Sequence, residues 1–228
     1  STSAPGDANA STDFVLCRQQ YQKALNELIE NHVFPNGMPA DDTFLDESDF
    51  TCGDYAVCDI DADGAEELLI SYTDAAMAGM VFYIFQYDTA TGTFREEFGA
   101  FPGVTFYENG YITAEISHNQ GMAGDFWPYS IFQYDTATDS YLHVAYIDAW
   151  DKNLFPTDYD GAAFPDEADT SNSGFVYYIY RNDAPSDGTQ PAPSDVTEYN
   201  RLLDETYGNS DTLQIDYLEI TKENIKQI

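Results

Sequence analysis

Basic residues are scarce in this chain. Eight Lys plus Arg stand against 41 Asp plus Glu, a formal net charge of −33 over 228 residues. So acidic a balance argues against nucleic acid as a partner, since that binding runs on Lys and Arg neutralising phosphates. It argues equally against docking on an anionic membrane surface. Self-repulsion of this size destabilises a compact state at low salt, and bound cations relieve it. No apolar run approaches the ~20 residues of a spanning helix, so no membrane span is expected. Cysteine is scarce too: Cys17, Cys52 and Cys58 are three, an odd number that cannot all pair within the chain. With no C-x-x-C and no suitable His spacing, zinc is not expected. The sequence also lacks Gly-x-Ser-x-Gly, His-Glu-x-x-His, a phosphate-cradling Gly-rich loop and a dinucleotide fingerprint.

What is present, with specific spacing, is Asp59-Ile-Asp61-Ala-Asp63-Gly64-Ala65-Glu66-Glu67. Carboxylates at the first, third and fifth positions of a tight loop converge on one point, as a hard cation requires. Gly64 supplies the sharp turn, Ala65 offers its backbone carbonyl, and Glu67 offers a further carboxylate. The helix–loop–helix version needs a Glu at position 12, where this chain has Ile70. The flanks Tyr55–Ile60 and Glu67–Tyr72 are short, apolar and β-prone, so the expectation is a strand–loop–strand site for a structural Ca²⁺. A solvated acidic turn is the alternative.

Residues 1–12 are small, polar and patternless, and read as a flexible tether of the kind that follows a cleaved signal or a lipid-anchored cysteine. From Asp13, a good N-cap, Phe14, Cys17, Tyr21, Ala24, Leu25 and Leu28 form the stripe of a helix that ends at Pro35 and Asn36-Gly37. Cys17 packs there as a small hydrophobe; a Cys52–Cys58 link stays open. From Gly53 to about Ile147 the apolar period is two, which predicts successive strands, with Asn109-Gly110 as the strongest hairpin signal. The 18 Tyr and 15 Phe suit half-buried β surfaces, and sugar-binding platforms as well.

One segment repeats. Ile84-Phe-Gln-Tyr-Asp-Thr-Ala-Thr91 recurs as Ile131 to Thr138. Each copy reads as strand, turn opened by Asp88 or Asp135, strand, and the equivalence predicts comparable sheet positions. Residues 148–173 read as an acidic loop and 184–194 as a linker. A capped helix from Asp195 to Tyr207 and a strand over 213–217 follow. The fold class expected is α+β, with residues 13–228 as one domain. Its core is an antiparallel β-meander of about eight to ten strands, with the N-terminal and C-terminal helices against one face.

Tyr55 to Ile70 resembles the Y-x-x-x-D-I-D-G-D-G-x-x-E-L-L-I element of secreted proteins and lipoproteins of Gram-positive gut bacteria. Its loop is similar to the FG-GAP and VCBS calcium loops of integrin-like propellers. The resemblance implies metal-ligand roles for Asp59, Asp61, Asp63 and Glu67, and for Ala65 through its carbonyl. It implies a secreted or lipid-anchored location at the cell surface and no established activity. Ala62 departs from the usual Gly without removing a ligand.

No catalytic constellation stands out. The best candidate for ligand binding is the Gly-rich loop opened by His118 and Asn119, ahead of Trp127; a long hairpin connection is the alternative. The expectation is a non-enzymatic, extracellular, Ca²⁺-stabilised domain that binds a cell-surface glycan or protein. A secreted hydrolase with a site assembled from distant residues is the first alternative, and a purely structural or interaction module the second.

Overall fold

The computed structural model describes residues 6–41, 53–73, 75–117, 121–182 and 190–228, with side chains from residue 13. The expected class holds: two helices, one near each end, accompany antiparallel strands. The strands form two five-stranded sheets instead of one meander. Element by element, α1 is Gly6–Asn31, followed by β1 Asp54–Cys58, β2 Glu67–Tyr72, β3 Val81–Asp88 and β4 Thr93–Ala100. Next come β5 Val104–Phe106, β6 Tyr111–Glu115, β7 Tyr129–Asp135, β8 Ser140–Asp151 and β9 Phe175–Arg181. Helix α2, Val196–Glu205, and β10, Leu218–Glu219, complete the main elements.

Two compact units result, one of Ser1–Pro102, Thr136–Ser140 and Ile215–Ile228, the other of Gly103–Asp135 and Tyr141–Gln214. In the first unit the sheet order is β10-β1-β2-β3-β4. Its core sets the α1 stripe of Tyr21, Leu25 and Leu28 against Leu68, Ile70, Tyr72 and Phe85, each at most fractionally exposed. In the second unit the order is β5-β6-β7-β8-β9. There Ile131, Ala145, Ile147 and Tyr177 close over Leu202 of α2. Tyr177 and Tyr199 stack with ring centroids 4.2 Å apart. The two helices therefore serve different sheets and do not share one face.

Several boundaries differ from the sequence expectation. Helix α1 starts at Gly6, inside the stretch read as a tether, so Asp13 is an interior helical residue and not its cap. No proline after Pro5 interrupts that stretch, and Ala8 and Ala10 favour helix. The acidic loop is shorter than expected because β8 runs on to Asp151. Leu213–Tyr217 alternates well enough for a strand, yet the chain makes an isolated bridge of Thr212 with Tyr107 and then pairs over Leu218–Glu219, opposite Tyr55 and Asp54 of β1. Cys17 and Cys58 are free thiols, and burial pushes the Cys58 thiol up to about 11; Cys52 lies outside the described residues. No helix among the described residues is long and apolar enough to cross a membrane.

Candidate metal centre

Strands β1 and β2 pair antiparallel with Cys58 opposite Glu67, so residues 59–66 must close the hairpin in a tight loop. The chain closes it with its own carboxylates. Asp61 Oδ1 accepts the Asp63 N–H at 3.1 Å, Asp59 Oδ2 the Gly64 N–H at 3.1 Å, and Asp63 Oδ1 the Ala65 N–H at 2.7 Å. Gly64 sits at φ +95° and Ala62 at φ +62°, both in the left-handed region. An alanine there is strained by about 1–2 kcal/mol. Ala62→Gly is therefore expected to stabilise the protein by about 0.5–1 kcal/mol in urea titrations, after the extra freedom gained by the unfolded chain. A loss of stability would contradict the strain.

Glu67 is the chemically decisive residue. It opens β2 and is 0% exposed. Its Oε2 accepts the Ile60 N–H at 2.9 Å, and its Oε1 faces Gln86 Nε2 at 3.4 Å. The Gln86 amide also reaches Asp63 Oδ2 at 3.4 Å. Burial pushes the Glu67 carboxyl up to about 9, the Ile60 N–H bond opposes this, and the charges of Asp61 and Glu97 add to it. A buried carboxylate short of positive partners is costly to ionise.

The loop is held from behind by α1. Arg18 grips Glu66 with two parallel hydrogen bonds of 2.8 Å, a bidentate geometry. Tyr21, wholly buried, donates its hydroxyl to the Glu66 carbonyl and accepts the Tyr87 N–H at 3.3 Å. These contacts fix the loop's exit, the segment where the Ala65 and Glu67 ligands were expected.

Donor atoms of Asp59, Asp61 and Glu67 lie within 4.8 Å of one another, and so do those of Asp61, Asp63 and Asp139. A Ca²⁺ shell with ligands at 2.3–2.6 Å is about 5 Å across, so either set fits around one ion. All donors are oxygens, which suits a hard cation and not zinc. Three of the five expected ligands thus meet directly, Asp63 meets them through Asp61, and Ala65 lies between them in the loop. The sequence reading missed Asp139, Glu97, Gln86 and Arg95. Only Asp139 left a trace there, as the residue that replaces Gly92 in the repeat.

Clefts of the first unit lie beside the loop and away from it. One of about 490 Å³ is lined by Lys23, Glu27, Phe34 and Phe94, and one of about 340 Å³ lies against the loop itself, lined by Gly64, Ala65, Glu66 and Gln86 with Phe14 and Cys17. Neither is lined by Glu67 or Glu97. In the second unit Trp127 is 42% exposed and donates its indole N–H to the Ile116 carbonyl at 2.7 Å. His118 and Asn119 lie outside the described residues. Comparison with protein-family models, with curated proteins and with solved structures returns no match for this chain.

Proposed function

We propose that this chain is a calcium-stabilised module that works outside the cell, with the ion a structural part of the β1–β2 loop. The observation that carries it is Glu67, a carboxylate of zero exposure whose oxygen lies within 4.8 Å of those of Asp59 and Asp61. An ion there would repay the desolvation of that carboxylate and draw three loop residues onto one centre. The same burial favours a structural over a catalytic role: the cleft beside the loop is lined by Gly64, Ala65, Glu66 and Gln86, and not by Glu67 or Glu97.

Location follows from affinity. Extracellular modules bind Ca²⁺ in the range of about 10⁻⁴–10⁻³ M and cytosolic buffers at about 10⁻⁹–10⁻⁸ M. Calorimetric titration with CaCl₂ is expected to give a dissociation constant of micromolar or weaker, abolished in Asp61→Ala. A nanomolar constant would contradict an extracellular module. Binding of a cell-surface glycan is the reading favoured by Trp127, an aromatic residue 42% exposed while its N–H is engaged by Ile116. Trp127→Ala should then abolish retention on immobilised glycans without changing Ca²⁺ affinity.

A further inference from the structure

The acidic cluster does not end at the loop. Glu97 is the extra residue of a bulge in β4, since Ile84 pairs with Phe98 and Phe85 with Glu96. A bulge re-aims a side chain, and this one aims Glu97 inward. Its side chain is 0% exposed. Oε1 takes Arg95 Nη2 at 2.9 Å, whereas Oε2 is buried with no hydrogen-bond partner. The charges that face it are Asp139, Asp61, Arg95 and Asp63. Asp139 belongs to the Thr136–Ser140 turn, which is part of the same unit. It stands at φ +50°, where its counterpart in the repeat is Gly92 at φ +72°. The chain thus carries a carboxylate at a turn position that glycine fills without strain.

We propose that a second divalent cation, of the calcium class, binds between Asp61, Asp63, Asp139 and Glu97, with Asp61 shared between the two ions. The inference extends the single-ion loop and uses a different pair of outer ligands, Asp139 and Glu97 in place of Asp59 and Glu67. Donor atoms of Asp61, Asp63 and Asp139 lie within 4.8 Å of one another, the span of one coordination shell. Charge balance points the same way. Six carboxylates converge here: Asp59, Asp61, Asp63, Glu67, Glu97 and Asp139. With all six ionised, the Arg95 guanidinium and one divalent ion in the loop leave three negative charges uncompensated; a second ion leaves one. Arg95 cannot neutralise them alone. Its Nη2 already serves Gln86 Oε1 at 2.7 Å, Glu97 Oε1 at 2.9 Å and Asp139 Oδ2. The buried Oε2 of Glu97 is the donor that these contacts leave for a metal.

The test counts ions. Metal-stripped full-length protein is equilibrated with CaCl₂ at fixed ionic strength, and bound calcium per chain is measured by equilibrium dialysis and native mass spectrometry. Two ions are expected in the parent chain and one in Asp139→Gly and in Glu97→Gln. Asp139→Gly restores the residue the repeat places at that turn, and Glu97→Gln nearly preserves shape, so both variants are expected to fold. Unfolding curves in metal-free buffer check this. One ion in the parent chain, kept in Asp139→Gly and lost in Asp59→Asn, overturns the second site and leaves the loop site standing. One ion lost in Asp139→Gly and kept in Asp59→Asn supports the second site and sinks the loop site. No bound ion overturns both.

Discussion

In metal-free buffer the protein is expected to lose stability as pH rises from about 5 to 9, and saturating Ca²⁺ should remove that loss. The cause is the pair of buried carboxyls. Glu67 is pushed up to about 9 and Glu97 to about 8, in both cases chiefly by burial. For Glu97 the charges of Asp139, Asp61 and Asp63 add to the burial, and Arg95 opposes it. Both groups have ordinary carboxyl values in the unfolded chain, so between pH 5 and 8 the native state binds more protons than the unfolded state. Stability then falls with rising pH, at up to 1.36 kcal/mol per unit for each group. The whole effect is on the order of a few kcal/mol, because an opening loop lets water share the cost. A cation satisfies the same oxygens without protons, and its binding releases them. Urea midpoints at pH 5, 7 and 9, with and without CaCl₂, measure both arms. A flat metal-free profile over this window would show that the two carboxyls are not desolvated as described.

Phe85→Ala is expected to cost about 3–5 kcal/mol, and Phe132→Ala less than half of that. The two residues occupy the same place in the repeat, so sequence alone gives them the same weight. In β3 Phe85 belongs to the core packed by α1 and is 0% exposed. It packs 5.1 Å from the Tyr83 ring centroid and 6.4 Å from that of Phe94. Strand β7 keeps its burial to Ile131 and leaves Phe132 half-buried, edge-on to His143 at 5.2 Å. Deleting a fully enclosed ring removes its transfer energy and leaves a cavity; deleting a half-exposed ring leaves a dent that water fills. Denaturant titration of both variants decides the matter. Equal losses would mean that burial does not distinguish the two copies.

The repeat also shows how far sequence carries. Alternation placed successive strands between Gly53 and about Ile147, where β1 to β8 lie, because a two-residue period with turn punctuation is a local signal. The Asp59–Asp61–Asp63–Gly64 loop was legible for the same reason, as its geometry is set by neighbours in the chain. Asp88 was read as the residue that opens a turn, and its carboxylate does accept the Ala90 N–H at 2.8 Å. What local pattern cannot supply is pairing. Nothing in 218–219 announces that two residues will edge β1, and nothing near β4 separates the strands into two sheets. Glu97 looked like one acid among 41. Only the bulge, a property of the β3–β4 register, turns it inward. Arg95 and Gln86 join the site in the same way, across strands. Asp139 was the one distant member with a visible cue, since it breaks the repeat where glycine belongs.

The central claim is that the β1–β2 loop holds a structural Ca²⁺, and thermal unfolding in CaCl₂ against EDTA tests it most directly. MgCl₂ and matched ionic strength serve as controls for the general relief of an acidic chain's self-repulsion. At about 100 times the dissociation constant, native-state binding adds about 2.7 kcal/mol. For a chain of this length that is a rise of roughly 5–10 °C. The account predicts such a rise with Ca²⁺ alone and its loss in Asp61→Ala. An absent rise, or one that any salt of equal strength reproduces, would contradict it and leave the loop an acidic turn.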